Sequence, residues 1–99
     1  MIIAAATFSV PPEHHEALVA AALEITSPSR AEQGCLGYEF WADLRERGRF
    51  HVFEAWATRE AFEAHLATPH LKAFREARAR LGVLSFDLHR FLAEPADPA

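Results

Sequence analysis

A glutamate inside an apolar run and a histidine on an apolar helical face are where proton chemistry could sit in this 99-residue chain. Glu54 is flanked by Phe53 and Ala55 and lies two residues from Val52 and Trp56. At the period-two spacing of a strand, Glu54 and Trp56 share a face, and a carboxylate there is costly unless paired or hydrogen-bonded. His65 falls between Phe62 and Leu66 on the packing side of a helix, where burial also demands a partner. Together with Tyr38, these groups could accept or donate a proton in a small pocket walled by Trp56, Trp41, Phe62 and Phe74. The plainer alternative is that Glu54 ties down a loop or helix end and His65 is a satisfied core histidine.

The other reactive residue types carry less. His14 and His15 are adjacent, point to different sides of a helix start, and are expected to be solvated. His51 and His89 fall in strands among large neighbours, half-buried or at a subunit contact. His70 sits at the second position of a helix, where a positive charge is disfavoured, and a neutral outward ring is expected. His65 and His70 are five apart across a proline and are expected to point to different sides, and no His-Glu-x-x-His spacing occurs, so no metal site is expected. Cys35, the sole cysteine, lacks an activating base nearby and excludes an intramolecular disulfide framework. Neither a glycine-rich phosphate loop nor a dinucleotide fingerprint is present, and no cofactor is expected.

These residues must be positioned by short alternating elements. Residues 2–9 read as a strand ended by Pro11-Pro12, and Pro12 can open a helix whose face is Ala17, Leu18, Ala21, Ala22 and Ile25. Ser27-Pro28 predicts a kink or a short second helix before Gly34. Residues 35–44 and 49–57 read as a hairpin around Arg45-Glu46-Arg47-Gly48. Thr58 caps a helix over 59–67; Thr68-Pro69 caps a second that Gly82 ends at Leu81. Residues 83–92 read as the fourth strand and 93–99 as a frayed tail after a single domain over 1–92.

The order β-α-β-β-α(α)-β is the split-βαβ pattern of an α+β, ferredoxin-like fold with one four-stranded antiparallel sheet. Bulky residues fall on both faces of the strands, Phe50, Val52 and Trp56 against Phe53 and Ala55 in the third, so the face without helices is expected to be buried by a second copy. A homodimer follows. Composition agrees: 51% hydrophobic residues exclude intrinsic disorder, and ten Lys+Arg against fourteen Asp+Glu, with no basic block, argue against nucleic acid. No run approaches the roughly 20 apolar residues of a membrane span. A cytoplasmic protein without a targeting segment is expected.

The run Ser29-Arg30-Ala31-Glu32-Gln33-Gly34-Cys35-Leu36-Gly37-Tyr38, followed by Phe53-Glu54-Ala55-Trp56, Glu60-Ala61-Phe62, His65, Pro69-His70 and Phe74, resembles the antibiotic biosynthesis monooxygenase family of the dimeric α+β barrel superfamily. The resemblance implies a homodimer whose sheets pack face to face, with a pocket in each subunit between sheet and helices. Relatives of this kind include oxygenases that convert quinols or polyketide phenols to quinones without flavin or metal, heme-degrading enzymes and an isomerase of a phosphorylated sugar-like signal. The heme-degrading pattern is not matched, because its asparagine, tryptophan and ligand histidine fall here at Thr7, His65 and Arg75. The quinol-oxygenase type is nearest.

That type needs a water-excluding aromatic pocket and a base that ionises a phenol, since an electron-rich phenolate can pass an electron to dioxygen. His65 as base with Tyr38 or Glu54 as hydrogen-bond partner meets the need. The expected function is therefore cofactor-independent oxidation of a small quinol or phenol by O2. The alternatives are an isomerase or other proton-transfer enzyme on a small oxygenated metabolite, and a non-catalytic dimeric ligand-binding or stress-response module.

Overall fold

The computed structural model describes residues 1–97. Four strands, β1 (Ile2–Ser9), β2 (Cys35–Ala42), β3 (Arg49–Trp56) and β4 (Ser85–Leu92), form one antiparallel sheet in the order β2-β3-β1-β4. Three helices, α1 (His15–Arg30), α2 (Arg59–Leu66) and α3 (Pro69–Leu81), complete the α+β ferredoxin-like fold. Residues 93–97 carry no helix or strand, and the last two residues of the expected tail lie outside the described part of the chain.

Alternation decides which side chains meet the helices. Ile2, Ala4, Ala6 and Phe8 are buried on one face of β1, and the register places Trp56, Glu54, Val52 and Phe50 beside them on β3. On the other side of β1 the same rows continue into Leu92, Arg90, Leu88 and Phe86. Tyr38 pairs with Glu54 and Phe40 with Val52, which brings both β2 aromatics to the helix side. The helices pack against one another and on β2 and β3, whereas every residue of β4 is exposed. The space under α2 and α3 therefore opens toward β4.

Four local features depart from the pattern expected from sequence. Pro28 lies inside α1 without breaking it, because only one N–H···O=C bond is lost while Ile25 and Ser29, one turn apart, stay buried on the sheet. Pro12–His14 form a 3-10 turn ahead of α1. His15 is not solvated: its Nδ1 accepts from the Gly48 N–H at 2.9 Å and its ring stacks on Phe50, tying the helix start to the β2–β3 loop. That loop is closed by Asp43, whose Oδ1 accepts from the N–H groups of Arg45 and Glu46, so β2 ends at Ala42 rather than at the exposed Leu44.

Candidate functional site

The site begins where the chain leaves α1. Gly34 has φ +83°, and a Cβ built there would lie 2.6 Å from the Ala61 Cβ, so α2 approaches the backbone at a point only glycine allows. This close pass puts Glu32 against the buried side of α2. Its Oε2 accepts from His65 Nδ1 at 2.6 Å and from His70 Nε2 at 2.7 Å. Thr68 supports the arrangement from the α2–α3 junction: its Oγ1 donates to the His65 carbonyl and accepts from the Leu71 N–H at the start of α3.

His65 is 1% exposed and its Nε2 has no hydrogen-bond partner. In the neutral ring the bond to Glu32 places the proton on Nδ1, so Nε2 presents its lone pair. Trp56, fully buried, lies with its ring 4.7 Å from the imidazole, and Tyr38 meets the same ring edge-on at 5.4 Å. Glu54 Oε1 stands 3.7 Å from Nε2, beyond hydrogen-bond reach, and accepts instead from the Trp56 indole N–H at 3.0 Å.

A cavity of about 150 Å³ opens beside these groups, lined by His65, Tyr38 and Glu54 with Phe62, Phe74 and Phe40 among its apolar walls. Burial raises the Glu54 carboxyl above its usual range, against the lowering influence of the Trp56 N–H and of His65. Burial, and then the nearby Glu54 charge, pushes the Tyr38 phenol far above its ordinary value, so its hydroxyl remains a donor and not a base. Cys35 is likewise raised by burial, which disfavours its thiolate.

Of the residues expected from sequence, His65, Tyr38, Glu54, Phe62 and Phe74 line one cavity, and Trp56 stands behind His65 and holds Glu54. Trp41 does not join them. It is three residues from Tyr38, hence on the opposite face of β2, half-exposed and next to Phe53. The expectation that His65 and His70 diverge is also corrected, because the turn at Ala67–Thr68 brings both rings to one carboxylate oxygen. Glu32, His65 and His70 each offer an atom within 4.8 Å of the others, a donor set that could hold a divalent cation. Local spacing assigns no role to Glu32, nor to three arginines that line the cavity, Arg75, Arg78 and Arg90. Arg90 had a signal: a charge two residues from both Leu88 and Leu92 on one face of a strand.

A family model described as antibiotic biosynthesis monooxygenase matches residues 1–77. The chain is 36% identical to the uncharacterized protein sll1783 of Synechocystis over 76% of its own length, and the match spans 51% of that relative. It is 33% identical to the "Probable quinol monooxygenase YgiN" of Escherichia coli, covering 68% of this chain and 73% of that one. A crystal structure of an antibiotic biosynthesis monooxygenase-type protein from Deinococcus radiodurans superposes with a TM-score of 0.92 at 30% identity, covering 100% of this chain and 98% of that chain.

Proposed function

This chain belongs to the antibiotic biosynthesis monooxygenase family, and from that premise we propose that it oxidises a small quinol or phenol with O2, using its own side chains and no cofactor. The observation that carries the reading is the His65 Nε2: buried, unpartnered and beside an aromatic cavity, on a ring fixed through Nδ1 by Glu32. An orienting carboxylate on one nitrogen leaves the other as a base. His65 Nε2 takes the substrate hydroxyl proton, and the imidazolium is stabilised by Glu32. The Tyr38 hydroxyl donates to the resulting phenolate oxygen.

The phenolate then passes one electron to dioxygen, and the superoxide and aryl radical combine at a ring carbon as a peroxide. Loss of water from that carbon forms the carbonyl of the quinone, with one oxygen atom in the product, the other in water, and the His65 proton returned. The apolar walls keep bulk water from the radical pair. The mixed apolar and polar face turned away from the helices, with Phe53, Phe91 and Trp41, supports a homodimer as the working form.

The test is oxygen uptake by metal-stripped, flavin-free protein with a panel of quinols and phenols, corrected for autoxidation and run beside His65→Ala. Saturable uptake that His65→Ala loses by about 10²-fold or more supports the oxygenase. Uptake only after addition of Fe²⁺ or Mn²⁺ would reassign Glu32, His65 and His70 as metal ligands. No uptake above the blank would move the site to proton transfer without dioxygen.

A further inference from the structure

Three arginines face the cavity, Arg75 and Arg78 from α3 and Arg90 from β4, and among the described residues none of them makes a salt bridge or a side-chain hydrogen bond, although the Arg75 charge acts on the Glu54 carboxyl that lines the same cavity. What holds two of them is aromatic. The Arg78 guanidinium lies 4.5 Å from the Phe86 ring centroid, 5.6 Å from Phe74 and 5.9 Å from Phe8, and that of Arg90 lies 5.4 Å from Phe62. Contact with rings uses none of a guanidinium's N–H donors as a hydrogen bond to an acceptor, and their planar fork fits a carboxylate through two parallel hydrogen bonds.

Arg78 is the informative member. It is half-buried among three phenylalanines, and burial together with the neighbouring Arg75 charge lowers its pKa, so the site holds an uncompensated cation at a cost. An arginine meant only for solubility would reach for water instead. Space sets the other limit, because an engineered apolar cavity of about 150 Å³ binds benzene, and the volume here is the same. The space under the helices therefore takes one ring, with the ring's substituents directed to the side open toward β4.

Resting on the oxygenase reading for the fate of the ring, we propose that the substrate is a single-ring phenol or quinol bearing a carboxylate, with its hydroxyl toward His65 and its carboxylate on the arginines. Arg78 is the central anchor, held in place before the substrate arrives, and Arg75 and Arg90 complete the cationic rim from the helix and the strand.

The test is anaerobic calorimetric titration of the protein with 2,5-dihydroxybenzoate and with hydroquinone, which differ by the carboxylate alone. The carboxylate should tighten binding about tenfold or more, an increment of one charge-assisted contact, and 0.5 M salt should erode that ratio. Arg78→Met, which keeps the stem against the rings, and Arg75→Gln, on an exposed position, should each bring the ratio toward one, with melting curves run to confirm folding. Equal affinity for the two compounds, saturation by neither, or a ratio indifferent to both substitutions overturns the proposal. Oxygen uptake in the same preparations separates the two readings: an arginine-dependent carboxylate preference without uptake sinks the oxygenase and leaves this assignment. Uptake of hydroquinone without any preference does the reverse.

Discussion

At the scale of single residues, Glu32 is the group whose loss should tell most. It accepts from both histidines through one oxygen, so Glu32→Gln removes the charge that orients His65 and stabilises its protonated form. The expected result is a fall in kcat of about 10²-fold or more with little change in KM, since replacing an orienting carboxylate by its amide leaves geometry but spoils the tautomer. Steady-state kinetics on the folded variant check it. Glu54 behaves differently because its carboxyl is raised by burial. The native state then holds that proton more tightly than the unfolded chain, so stability declines as pH climbs from the unfolded value through the raised native one and stays lower above it. Glu54→Gln, whose amide oxygen still accepts from Trp56, should melt higher than the parent near pH 8. The gain should vanish below about pH 4, and thermal melts across that range read it. His65 and Glu54 were legible because a polar residue in an apolar pattern needs a partner. The partner itself was not, since nothing in the spacing of Glu32 reveals that a loop 33 residues away passes under α2.

At the scale of elements, the sequence marked all four strands and three helices, because prolines, glycines and threonine caps punctuate them and alternation fixes their faces. The break expected at Pro28 did not occur, as burial of Ile25 and Ser29 outweighs one missing hydrogen bond. Close approaches between elements were beyond reach of local pattern. Gly34 is the instance that matters, and Gly34→Ala should destabilise the fold by about 2 kcal/mol, combining a positive φ with a collision against Ala61. It should also push α2 away from Glu32, so activity should fall further than the fraction unfolded explains; comparing melts with kcat measured well below Tm decides this. The family match ends before β4, which supplies Phe86, Leu88 and Arg90 to the cavity.

At the scale of the whole molecule, one sheet face carries the helices and the other presents Phe53, Phe91 and Trp41, of which Phe91 and Trp41 are exposed. Burial of that face by a second copy predicts a particle of twice the chain mass, and Phe53→Glu should shift it to the monomer in light scattering coupled to size exclusion. The strand order has a different consequence. β1 is made first yet lies inside the sheet, pairing residues 2–9 with 49–56 on one side and 85–92 on the other, and the Met1 amine donates to the Ala93 carbonyl at 2.8 Å. A nascent chain therefore exposes both edges of its first strand until β3 emerges, and one edge until residue 92 has left the ribosome. Contacts so distant along the chain slow folding, and the open edges invite pairing with other unfinished chains. Synthesis of this domain should consequently lean on holding chaperones more than that of a fold built from local contacts.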